Sequence, residues 1–219
     1  MQELKTVGPF EVLEWPELPG AYGRARHCTT LEEASIKLDW FDSLAHEVNI
    51  LQVAAGGIGI PMLHWFEAID GKEVMILDML GISLEEFYIK SGRYFGLQNL
   101  LIFAEQMLSR VEFIHSRSIV HGSLDPWSFR LGSRSWQSQQ ILLTDFDIQI
   151  SEDKSTLDDL RAIGHILAYF YGHWDSWDQY RQENANGVPE DTAPFISAFA
   201  SAWRVQGQSK MDLIVASAQ

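Results

Sequence analysis

The chain of 219 residues is long enough for one sizeable core or two small lobes, and its 46% hydrophobic and 12% aromatic content excludes a disordered polar chain. A formal net charge of -14 argues against a nucleic-acid binder, which needs clustered Lys and Arg to neutralise phosphates, and suits a protein partner with a basic surface. The single cysteine, Cys28, excludes an internal disulfide and a Cys-rich metal site, and favours a reducing compartment.

The first residues, Met1-Gln2-Glu3-Leu4-Lys5, lack the basic and apolar regions of a signal peptide, and no apolar run reaches the length of a bilayer. The expectation is a soluble intracellular protein of the cytoplasm or nucleus, without a membrane partner. Periodicity then predicts a strand-like, loop-rich beginning with a short helix, followed by a helical remainder interrupted by a strand pair. Ala34-Ser35-Ile36-Lys37 reads as a strand, and Glu73-Val74-Met75-Ile76-Leu77 as a buried one rich in branched residues. Ser83 followed by Glu86 is a capping-box signal, in which each side chain satisfies a free backbone donor at a helix start. Leu97, Leu100, Leu101, Ala104, Met107, Leu108, Val111 and Ile114 recur at helical spacing and predict a long helix buried along one face.

Further on, Ile141-Leu142-Leu143-Thr144 predicts a short buried strand, and Leu157, Leu160, Ile163, Gly164, Leu167 and Ala168 a second core-facing helix. Asn184 to Pro189 reads as a loop between helical pieces. The seven histidines show no metal-ligand spacing backed by a carboxylate, so no metal is expected, and His121 reads as a core residue. Ser123 beside His121 lacks the glycine-flanked elbow of a serine nucleophile. Trp127, Trp136, Trp174, Trp177 and Trp203 are core fillers, or partner anchors where exposed.

The stretch from Glu47 to Phe170 resembles the casein kinase 1 family. Gly56-Gly57-Ile58-Gly59-Ile60-Pro61 is similar to that family's loop before the fourth strand. Leu77-Asp78-Met79-Leu80-Gly81-Ile82-Ser83-Leu84-Glu85 is similar to its hinge and following helix. Ser91-Gly92-Arg93, Gln106 to Arg110 and Ile114-His115-Ser116 continue the likeness, and Asp158-Asp159-Leu160 with Ile163-Gly164 and Tyr169-Phe170 resembles a central helix of the C-lobe. The resemblance implies an α+β bilobal kinase-like fold, with a strand-rich N-lobe over residues 1–79 and a truncated helical C-lobe over 80–219.

What it implies at the site is uneven. Lys37 resembles the strand lysine that holds a nucleotide's inner phosphates, Glu47 its helix partner, and Asp145 in Thr144-Asp145-Phe146-Asp147 the magnesium-facing carboxylate. Asp78 and Leu80 fall at the hinge. Gly20 and Gly23 occupy two of three positions in a phosphate-loop pattern, with Leu18 in place of the first glycine; a simple hairpin turn explains them equally. His121-Gly122-Ser123-Leu124-Asp125-Pro126-Trp127-Ser128-Phe129 resembles a kinase catalytic loop with its chemistry removed. Ser123 stands where the proton-accepting carboxylate belongs, Asp125 where a phosphate-supporting lysine belongs, and Ser128 where a magnesium-binding amide belongs. Asp147 replaces a glycine, and the interval from Asp147 to Asp158 is too short for an ordinary activation segment.

General-base help contributes about 10²–10⁴ in rate, and a serine hydroxyl cannot supply it near neutral pH. The expectation is therefore a catalytically inactive pseudokinase, not an enzyme, serving as a scaffold or regulatory subunit for protein partners. The shortened segment should also expose C-lobe surface that a partner would cover. No cofactor is required, although ATP held without turnover remains compatible with Lys37, Glu47 and Asp145. The competing expectation is an unconventional nucleotide-dependent transferase, or a non-hydrolysing ATP sensor, built on Lys37 and Asp145.

Overall fold

The computed structural model describes residues 5–39, 44–69, 71–133, 140–146, 154–185, 187 and 189. The architecture is α+β, and the backbone divides into two compact units. Met1–Gly81 with Arg130–Gln149 form the first, and Ile82–Phe129 with Ile150–Gln219 the second.

The first unit is organised by a six-stranded antiparallel sheet. Its strands are β1 (Thr6–Val7), β2 (Phe10–Glu14), β3 (Tyr22–His27), β4 (Glu33–Asp39), β5 (Leu63–Ile69) and β6 (Lys72–Asp78), in the spatial order β1-β2-β3-β4-β6-β5. Side chains alternate across a pleated strand, so Ala34 and Ile36 of β4, Val74 and Ile76 of β6, and Ala25 of β3 share one face with Val7 and Phe10. That face forms a core in which Ile36 lies opposite Ile76 and Ala25 opposite Ala34. Ser35 and Lys37 project from the opposite face of β4 and are also buried. Helix α1 (Leu44–Val53) packs against β5 and β6 through Leu44, Val48, Ile50 and Leu51, and buries Glu47 with them. A second sheet has the order β7 (Leu80–Ser83), β8 (Phe129–Gly132), β9 (Ile141–Leu143). It contains the expected strand at Ile141.

The second unit is helical. Helix α2 (Leu84–Lys90) starts at Ser83, where the expected capping box is complete: Ser83 Oγ accepts from Glu86 N at 3.1 Å, and Ser83 N donates to Glu86 Oε2 at 2.7 Å. Helix α3 (Leu97–Ser116) packs on α4 (Thr156–Tyr171), and α5 (Trp177–Glu183) follows. The buried row of α3 is Leu100, Phe103, Ala104, Met107, Leu108, Val111 and Ile114. Leu97 and Leu101, expected on that face, are instead 56% and 37% exposed. Leu101 is rotated about 100° from Leu100, off the row, and Leu97 lies in the first turn, beyond the end of the packed core. The centre is aromatic: Phe95 lies 5.2 Å from Tyr88, 5.1 Å from Phe103 and 5.1 Å from Phe170 between ring centroids. Among the described residues no helix is long and apolar enough to cross a membrane.

Candidate functional site

Lys37 is the organising residue of the first unit. Its position on β4 puts the ammonium under the sheet, with only 8% of the side chain exposed. A buried ammonium needs counter-charges and acceptors, because its hydration is lost. Glu47 supplies one from the first turn of α1, at 2.8 Å from Lys37 Nζ, and Asp145 supplies the other from the segment after β9, at 2.7 Å. Asp145 takes a left-handed backbone conformation, φ 63°, and its second oxygen accepts from Thr144 Oγ1 at 2.9 Å.

Tyr22, the first residue of β3, completes the cluster. It lies opposite Lys37 in the strand register, and its hydroxyl donates to Asp145 Oδ1 at 2.8 Å, the same oxygen that Lys37 engages. Lys37 Nζ lies 5.3 Å and Arg130 Cζ 4.9 Å from the centre of the Tyr22 ring, both within cation–π range.

The electrostatics follow from burial and pairing. Burial acts against the Lys37 charge, but the carboxylates of Asp145 and Glu47 outweigh it and hold the amine well above its usual range. Burial also raises the Asp145 carboxyl, yet Lys37 and the hydrogen bonds from Lys37, Tyr22 and Thr144 prevail and keep it below the usual carboxylate range. For Glu47 burial dominates over the attraction of Lys37, and the carboxyl is pushed up. Burial first, then the neighbouring Asp145, push the Tyr22 phenol well up, so it remains a donor.

The other predicted residues of this unit have local duties. Asp78 accepts from Met62 N at 3.0 Å and lies 2.9 Å from His64 Nε2, which directs it to β5 rather than to the Lys37 cluster. Leu80 is buried and its N–H donates to Ser35 Oγ at 2.9 Å. Gly20 has φ 78°, with no neighbouring atom near an added Cβ, and belongs to a turn in which Ala21 N donates to Leu18 O at 3.1 Å. A Cβ on Gly23 would come within 2.2 Å of Glu14 O, so this glycine permits β2 and β3 to approach. Gly20 thus serves the turn and Gly23 the close approach of the two strands. Asp147, Trp136 and Trp203 lie outside the described residues.

In the second unit the loop from His121 to Phe129 is held by its own backbone. His121 and Phe129 are fully buried. Asp159 of α4 accepts from His121 N at 2.9 Å and Gly122 N at 2.7 Å, and contacts His115 Nε2 at 2.8 Å. Asp125 turns its carboxylate inward: Oδ1 accepts from Trp127 N at 2.8 Å, Ser128 N at 2.8 Å and Ser128 Oγ at 3.0 Å. These contacts form an Asx-type brace, a common use of aspartate in loops. Ser123 is exposed, and its hydroxyl is 3.5 Å from His121 Nδ1, the outer limit of a hydrogen bond. A cavity of about 440 Å³ adjoins the loop, lined by Ser123 and by Lys154, Arg161, His165 and Arg181 among others. The wall of this cavity is charged. Trp177 is buried in the aromatic core, whereas Trp127 is 40% exposed.

The structure thus brings Lys37, Glu47 and Asp145 together, and separately brings Asp125 to Ser128. Sequence reasoning missed the roles of Tyr22, Arg130 and Asp159. Tyr22 was legible only as part of a turn, although its place three residues before Ala25, the partner of Ala34, would put it opposite Lys37 once the hairpin register was known. Among the described residues no group of three or more His, Cys, Asp or Glu side chains is placed to hold a metal ion. No family model matches the chain.

Proposed function

We propose that this chain is a shortened casein kinase 1-like pseudokinase, with a bilobal kinase-like fold, that works by binding protein partners and not by phosphoryl transfer. The observation that carries the reading is the fate of the loop carboxylate. Asp125 is committed to the amides of Trp127 and Ser128 and to the Ser128 hydroxyl, and the side chain at the proton-accepting position is the hydroxyl of Ser123. A hydroxyl is a poor general base at neutral pH, and a carboxylate holding three donors is poorly disposed to serve instead. Exposed apolar side chains on and between α2 and α3, namely Ile89, Tyr94, Leu97 and Ile102, support a role in protein association. The excess negative charge favours a basic surface on the partner.

A second reading, ATP held without turnover, is favoured by the pairing of Lys37 with both Glu47 and Asp145. Radiolabelled ATP with magnesium or manganese tests the main proposal. Label incorporation into casein, or into the protein itself, is expected to stay at background. Incorporation that survives contamination controls and disappears in Asp145→Ala would establish an enzyme and overturn the proposal.

A further inference from the structure

Tyr22 has no assigned part in the proposed scaffold, yet it makes the contact that most alters what Asp145 can do. Asp145 Oδ1 receives two donors, Lys37 Nζ at 2.7 Å and the Tyr22 hydroxyl at 2.8 Å, while Oδ2 receives Thr144 Oγ1 at 2.9 Å. A hard divalent cation such as magnesium binds through the lone pairs of carboxylate and phosphate oxygens, and donors placed on those lone pairs compete with it directly. The charge balance is also internal. Lys37 is paired with both Glu47 and Asp145, and Arg130 lies over the same Tyr22 ring, so the Lys37 charge is already met by two carboxylates before any ligand arrives.

We infer that Tyr22 is a built-in occupant of the Lys37–Asp145 site, and that magnesium–ATP binds there only when this side chain swings out. The inference rests on the reading that nucleotide can be held without turnover, and adds a gate to it. The hydroxyl proton occupies a lone pair of Asp145 Oδ1 that a cation would use, and the ring lies 5.3 Å from Lys37 Nζ, against the amine that a phosphate would engage. The means of release is local. Tyr22 begins β3 directly after the Leu18–Ala21 turn, whose Gly20 is in the left-handed region and whose Leu18 is 69% exposed. The turn is tied to β4 by a long bond, Gly20 N to Leu38 O at 3.3 Å, so moving it leaves the Ile36–Ile76 core intact. A ligand that must first displace an internal contact loses apparent affinity in proportion to the fraction of closed molecules.

Isothermal titration with magnesium–ATP on the wild type, Tyr22→Phe, Tyr22→Ala and Tyr22→Ala/Asp145→Ala tests this. Tyr22→Phe retains the ring and the strand contacts, so it guards against loss of fold. Loss of a hydrogen bond to a charged group predicts about tenfold tighter binding in Tyr22→Phe, a larger gain in Tyr22→Ala, and loss of the gain in the double variant. Affinities within about twofold across the wild type and both single variants, including no detectable binding in any, would overturn the gate, as would a gain that survives Asp145→Ala. Label incorporation measured on the same samples separates the two proposals. Turnover by the wild type would sink the non-catalytic reading alone, measurable but unchanged affinity would sink the gate alone, and no binding in any sample would remove the ATP-holding reading together with the gate.

Discussion

A lysine with two carboxylates is a different object from a surface ion pair. The Lys37 and Glu47 side chains are 8% and 4% exposed, so removing the cation would strand Glu47 without a counter-charge and leave Asp145 short of one. Breaking a buried pair from one side typically costs about 3–5 kcal/mol, whereas removing both partners often costs far less. Lys37→Met is therefore expected to lose about 3–5 kcal/mol in urea unfolding. Adding Glu47→Gln to it should restore part of that loss, because the stranded charge is gone. A double variant no more stable than Lys37→Met would show that the pair is not coupled. Part of the site was legible before the structure. Lys37 and Glu47 were legible through the resemblance, which gave one the place of a strand lysine and the other that of its helix partner, whereas Tyr22 is an aromatic in a turn and has no such place until its register is known.

Elements were legible where a repeating pattern carried them and obscure where the buried face was small. The capping box at Ser83 and the long row from Leu100 to Ile114 follow from spacing alone. β3 is different, because its buried residues are Gly23 and Ala25, whose apolar surface is too slight to mark a strand face. Its exposed neighbours are held by paired charges, Arg24 with Glu33 at 3.0 Å and Arg26 with Glu11, which read in sequence as a polar loop. β5 is never fully buried and shows no alternation. The capping interaction itself can be measured. Ser83→Ala should cost about 1 kcal/mol by chemical denaturation, since Glu86 N loses its acceptor and Glu86 Oε2 a donor, while Ser83→Thr, which retains the hydroxyl for both, should cost less. Equal losses in the two would assign the effect to packing at this fully buried position instead of capping.

For the molecule as a whole, acid sensitivity should set in well above the carboxylate range. Burial, and then the charge of Arg181, lower His165 to about 4 from its usual 6.5, and its Nδ1 lies 2.9 Å from the Tyr180 hydroxyl. The unfolded chain therefore binds the proton more readily than the folded one, so stability declines as pH falls from 6.5 toward 4. Asp145, with its depressed value, contributes stability that persists lower still and is lost only as pH falls through that value. Urea midpoints taken across this range should fall in the wild type and stay flatter in His165→Gln. Parallel curves would place the acid response elsewhere.

The brace at Asp125 also bears on which side chains this loop would accept. Installing a lysine there would unstitch Trp127 and Ser128 before the new cation met any phosphate, and installing an aspartate at Ser123 would place it beside the carboxylate already present at Asp125. Each change works against bonds the loop already makes, so its present sequence is self-reinforcing.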